Sequence, residues 1–226
     1  TEAANTASRK KYGYVTGFRA LSRCFGRYEL LGDPVEVAEV QEICLGTNTM
    51  SRADYDDCRA FDLTVAIFNN GGVVKEFFRL GESLGVPRSI VLQHIARLAG
   101  RSAPLRHLYD ELREQEARNF FSTHAELDAF LAQPGTMDRY LAGEFGVNHV
   151  YRARTIALLS HFETIASIAH DAVRQALEEQ GCLDPTIEDY LRELHQVAIA
   201  RKTNLTALDA EISLRLHFDF RALQEA

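Results

Sequence analysis

From residue 51 onward, apolar residues recur mostly at helical spacing. Cys58, Phe61, Val65 and Phe68 fall on one helical face. Ahead of them, Ser51-Arg52-Ala53-Asp54 places a carboxylate three positions after a capping serine. That helix is expected to stop at Asn69-Asn70-Gly71-Gly72. A second is expected from Val73 to Leu84, and a third carries Ile90, Val91, Ile95 and Leu98 and stops at Gly100. Ser102 and Pro104 open a charged helix with Leu105, Leu108 and Leu112 on one face. Thr123 with Glu126 is a further capping box, and Gln133-Pro134-Gly135 breaks the chain after it. One long helix is expected over 148–180, bearing Val150, Ala157, Ile165, Ile168 and Ala172. Asp184-Pro185 starts the last one, with Ile187, Leu191, Leu194 and Ala198.

Two stretches depart from this period. Between Gly13 and Met50, β-branched residues such as Val35, Val37, Val40 and Ile43 predict extended structure, with a turn at Leu31-Gly32-Asp33-Pro34. Near the C-terminus Ile212, Leu214, Leu216, Phe218 and Phe220 alternate with Ser213, Arg215, His217 and Asp219, which predicts a strand with one apolar face. A lone strand needs a partner, and the 26–45 region is the best local one. The expectation is therefore a mainly α protein with a small β element, strands near 26–45 and 212–220. Residues 1–50 form a β junction and residues 51–226 a helical domain ending in a strand.

Composition changes this picture little: 46% hydrophobic and 25% charged residues suit a packed core. Charge adds more. The chain carries −7, yet residues 1–31 hold Arg9, Lys10, Lys11, Arg19, Arg23 and Arg27 against only Glu2 and Glu29. A basic entry on an acidic body can face an anionic ligand or an acidic neighbour, while the net charge disfavours nucleic acid as a partner. No apolar run is long enough for a membrane span, and neither a secretory leader nor a C-x-x-C pair occurs among Cys24, Cys44, Cys58 and Cys182. A cytoplasmic protein with reduced thiols is expected, with Thr1 as a cut point in a longer chain.

Catalytic motifs are absent. There is no G-x-G-x-x-G, phosphate loop, G-x-S-x-G or H-E-x-x-H, and His161-Phe162-Glu163 lacks the P-C-x-x-C of a zinc deaminase. Asp54, Asp56 and Asp57 crowd one helical turn, where they can bind a hard cation but suit the positive end of the helix dipole equally well. His161 and His170 lie nine residues apart on the expected long helix, too far to share a metal unaided. No catalytic or metal-ligating residue is assigned. Residues 80–98, LGESLGVPRSIVLQHIARL, have the form of a helix-turn-helix. Arg88, Ser89, Gln93 and Arg97 would then be available to bases or phosphates, giving a DNA-binding regulator as one alternative. A non-enzymatic helical interaction scaffold is another.

A longer pattern lies at the N-terminal end. Arg9, Tyr12, Phe18-Arg19, Gly26 to Tyr28, Glu39 and Glu42 are followed by Thr47-Asn48-Thr49-Met50-Ser51, Asp54-Tyr55 and Cys58-Arg59. Over residues 7–80 this resembles the junction after the barrel in radical S-adenosylmethionine proteins, especially those with a cobalamin-binding domain. The resemblance implies a C-terminal accessory, substrate-covering region of such an enzyme, inactive alone because the C-x-x-x-C-x-x-C triad is missing here. The full-length protein would then hold a [4Fe–4S] cluster, S-adenosylmethionine and, in some members, cobalamin, none of them bound by this chain by itself. Its partners would be an N-terminal catalytic barrel, whose end residues 1–50 would include along with the β junction, and a small-molecule or biosynthetic-intermediate substrate. Tyr12, Arg19 and Tyr28 are the expected edge of the substrate or cofactor site.

Overall fold

A computed structural model describes residues 6–202 and 211–220; Thr1 lies outside these. Among the described residues there are ten α-helices and one two-stranded antiparallel sheet, so the mainly α expectation with a small β element holds. The chain divides into two compact units, one of residues 1–60 and 111–152, the other of residues 61–110 and 153–226.

In the first unit a short helix that the apolar pattern did not announce, α1 (Thr6–Tyr12), leads into β1 (Val15–Leu30) and β2 (Asp33–Gly46). The strands pair from Val15↔Gly46 to Leu30↔Asp33. Leu31 and Gly32, at φ 57° and 92°, form the two-residue turn whose handedness matches the twist of the strands. Asp33 and Pro34, expected in the turn, already belong to β2. Pairing skips between Ala20↔Val40 and Phe25↔Ala38, which leaves Leu21 to Cys24 bulged opposite Glu39, with Arg23 at φ 64°.

Two helices and the N-terminal half of a third contribute to this unit's framework. The N-terminal end of α2 (Arg52–Phe68) is closed by the expected box: Ser51 Oγ accepts from the Asp54 N–H and the Asp54 carboxylate accepts from the Ser51 N–H. α6 (His124–Leu131) is capped by Thr123, and α7 (Thr136–Leu141) starts directly after Gly135. Both pack against β1. Buried Ala20, Met137 and Tyr140 are surrounded by half-buried Phe25, Phe130 and Phe145, with Phe25 and Tyr140 edge to face at 4.9 Å.

The second unit is built on α9 (Phe162–Glu179), which packs against α3 (Lys75–Ser83), α4 (Arg88–Ala99) and α10 (Pro185–Ala200). Ala166, Ala169, Ala172 and Ala176 keep the inner surface of α9 low, so that Phe77, Phe78, Val91, Ile95, Leu191 and Leu194 are shut away from water. Asp184 caps α10 by accepting from the Ile187 N–H.

Two expectations are corrected here. The long helix over 148–180 is two helices, α8 (His149–Ser160) and α9, parted at His161, whose φ of −131° is not helical. The Lys202 ammonium donates to the Leu158 carbonyl, satisfying one of the acceptors that the end of α8 leaves open. The strand expected near 212–220 is not a strand, and its expected partner in 26–45 pairs within the hairpin instead. The alternation nevertheless has a physical meaning. Phe220 is buried and Leu216 and Phe218 half-buried, while Arg215, His217 and Asp219 are exposed. The backbone is held by a carboxylate in place of a neighbouring strand: the His217 and Phe218 N–H groups donate to Glu193 of α10 at 2.9 and 3.1 Å. Tyr190 receives Phe218 and Phe220 against its ring.

Candidate functional site

Beneath the bulge of β1, in the first unit, a cavity of about 50 Å3 is lined by Arg19, Arg59, Glu116, Asn119, Asn148 and His149 together with Ser22 and Tyr140. Its centre is Glu116, on α5 (Ala103–Arg118), whose side chain is only 4% exposed. Arg59, from α2, donates to Oε1 at 3.2 Å, and the Arg19 guanidinium, from β1, lies 3.8 Å from Oε2. One carboxylate thus stands between two cations, and Oε2 has no hydrogen-bond partner. Such a centre is far from the usual buried ion pair, in which every lone pair is satisfied.

The neighbouring groups fix these side chains. Arg19 lies over the Phe120 ring at 5.4 Å and reaches Gln41 on β2. Phe120 comes this close because residue 17 is glycine: a Cβ there would stand 3.2 Å from the ring and 2.7 Å from Leu45. Phe121 exchanges both backbone hydrogen bonds with Phe18, which ties the chain after α5 to the strand that carries Arg19. On the far wall Gly146, at φ 64°, leaves room for Phe25 and Tyr140, which a Cβ would strike at 2.4 and 2.8 Å.

His149 opens α8 behind the cap made by Asn148, whose side chain accepts from the Tyr151 N–H. Burial pushes the His149 imidazole below its usual pKa, against the pull of the Glu116 charge, and Arg152 lowers it further. Its Nε2 is buried and has no hydrogen-bond partner, as does the Nε of Arg19. Burial also raises the Tyr55 hydroxyl above its ordinary range, with the Glu116 charge adding to the effect.

Of the residues expected at a site edge, Arg19 alone lines this cavity. Tyr12 ends α1, stacked with Tyr14, and Tyr28 is exposed near the tip of the hairpin over Gly26. Arg88, Ser89, Gln93 and Arg97 are exposed on α4, which follows α3 through Gly85 at φ 85°. Arg88 is engaged by Glu82 through two hydrogen bonds, and Arg97 by Gln175 and His94. Asp54 is used in capping, Asp56 pairs with Arg52 at 2.9 Å, and Asp57 lies 3.9 Å from Arg113.

Glu116 and His149 were not foreseen. The signal for Glu116 was present, because it continues the buried stripe of Leu105, Leu108 and Leu112 by one further turn. A carboxylate on that stripe calls for a partner. The four cysteines are separate thiols, and among the described residues no three His, Cys, Asp or Glu side chains are placed to hold a metal. No described helix is long and apolar enough to cross a membrane. No family model matches the chain, and no curated protein matches it significantly.

Proposed function

We propose that this chain is the C-terminal region of a cytoplasmic radical S-adenosylmethionine enzyme of the cobalamin-binding-domain type, contributing substrate contacts and no catalytic group. One observation supports the reading most directly. Arg19, Tyr55 and Arg59 lie in three separate motifs of the resembling segment, and all three belong to the surroundings of the buried Glu116 carboxylate. Two residues that the resemblance picks out forty positions apart, Arg19 and Arg59, therefore line one polar cavity, and Tyr55 feels the charge of its carboxylate. The cluster, S-adenosylmethionine and any cobalamin belong to the rest of the enzyme, and this region binds part of a small-molecule substrate.

The test starts upstream of Thr1. The native reading frame is expected to encode a barrel with C-x-x-x-C-x-x-C, and the full-length protein, reconstituted anaerobically, is expected to cleave S-adenosylmethionine reductively. In that protein Arg19→Ala should raise KM for the substrate while substrate-independent cleavage persists. A start codon directly before Thr1, or a full-length protein without the cysteine triad, defeats the reading and leaves the helical regulator or scaffold in its place.

A further inference from the structure

The Glu116 cavity presents an unusual set of unmet hydrogen-bonding needs. Arg19 Nε is a donor with no hydrogen-bond partner, and Glu116 Oε2 is an acceptor with none. His149 Nε2, also without a partner, can serve as either, depending on its tautomer. The guanidinium groups of Arg19 and Arg59 both lie against the Glu116 carboxylate, so a ligand that presents an anionic oxygen on the Arg19 side gains charge-assisted hydrogen bonds there. A simple carboxylate meets only half of these needs. Its oxygens can accept from Arg19 and His149, but it has no proton to give Glu116 Oε2.

We propose that this cavity is a binding site for the head group of a 2-hydroxy or 2-amino carboxylate. The ligand's carboxylate accepts from the Arg19 side and its hydroxyl or ammonium group donates to Glu116 Oε2. The size agrees. A water needs roughly 10–15 Å3 of such space, so a cavity of about 50 Å3 takes a group of a few heavy atoms. A nucleotide or an intact sugar is too large, which limits the site to the end of a molecule or to a small acid. Ordered water can satisfy these groups in the absence of ligand, and a ligand that reproduces those hydrogen bonds displaces it without loss. Charge-assisted hydrogen bonds on both sides of the head group give the site its selectivity. This assignment goes beyond the enzyme reading and does not depend on it, because it concerns binding to this chain alone.

The measurement is an NMR titration of the His149 imidazole resonances with glycolate, glycine, acetate and inorganic phosphate, with no cluster or S-adenosylmethionine present. Glycolate or glycine is expected to give a saturable shift. Acetate should bind about tenfold more weakly or less, since it leaves the buried acceptor unmet. Glu116→Gln turns one oxygen into an N–H donor of the same shape and should reverse the order, favouring acetate over glycolate. Arg19→Gln should weaken all the carboxylates about tenfold while keeping their order. That arm still decides the matter if Glu116→Gln does not fold. The proposal is overturned if acetate matches glycolate in the unaltered protein, if phosphate is preferred, or if none of the four gives a saturable shift.

Discussion

The two units bury charge in different ways. In the helical unit, Glu193 is covered by the His217 ring and the backbone N–H groups of His217 and Phe218, and Glu76 accepts from Arg201 at 2.8 Å. Each carboxylate there joins two pieces of chain over an apolar core of Phe77, Ile95, Leu177 and Leu191. In the hairpin unit, Glu116 joins β1, α2 and α5 but leaves an oxygen facing a cavity whose other walls also carry buried polar atoms without partners. Glu76 has an unpartnered oxygen as well, yet it borders a crevice lined mainly by Leu194, Val197, Ala198 and Phe220. An unmet buried charge is therefore not by itself a sign of binding. Several such groups converging on one space are.

The largest effect should come from the helical core. Phe77→Ala removes a ring with no solvent exposure and is expected to cost about 3–5 kcal/mol in urea unfolding. The same truncation at Phe25, half-buried at the edge of its aromatic cluster, should cost clearly less. Equal losses would mean that the hairpin unit is packed as tightly as the helical one. Next come the helix caps. Asp184→Ala in the helical unit and Thr123→Ala in the hairpin unit should each cost about 1 kcal/mol, because each side chain satisfies one N–H at a helix start. A cost near zero for either would show that the helix end is held by packing instead.

The smallest effect concerns pH, and each unit supplies one histidine. His149 and His195 are both held below the usual imidazole value, chiefly by burial. For His195 the charge of His170 adds to this, while Asp171 and Glu163 oppose it. A lowered imidazole pKa means that the unfolded chain binds protons more readily. The contribution is therefore fully present above about pH 6.5 and declines as the pH falls below that value. His149→Gln and His195→Gln should each flatten part of the acid slope in stability measured from pH 7.5 to 5. An unchanged slope in both variants would show that other groups dominate.

The helix ends were legible in the sequence because capping is local. Ser51 with Asp54, Thr123 with Glu126, and Asp184 before Pro185 each satisfy N–H groups within a few residues, and all three mark helix starts. The kink at His161 was not legible, since the apolar faces of α8 and α9 follow each other without a proline or glycine. The donor that satisfies the end of α8 comes from Lys202, forty-four positions away. The fate of 212–220 was half legible. Alternation announced an extended segment with one buried face, but it cannot tell whether a strand or a glutamate on a helix will receive the backbone. Arg19 was singled out from its motif, while the grouping of residues 111–152 with the hairpin, which brings Glu116 and His149 to it, is a matter of tertiary pairing that no local spacing encodes.

The hairpin has one more consequence, for association between molecules. Among the described residues β1 and β2 pair only with each other, apart from the single bridge of Phe18 to Phe121, so both outer edges present unmatched peptide groups over much of their length. Such an edge is a template for a foreign strand. The sequence answers with charge: Arg23, Arg27 and Glu29 on one strand and Glu36 and Glu39 on the other, with Arg27 paired to Glu36 at 2.7 Å. An incoming copy in antiparallel register would have to desolvate these groups, and their repeated signs act as gatekeepers against edge-to-edge stacking.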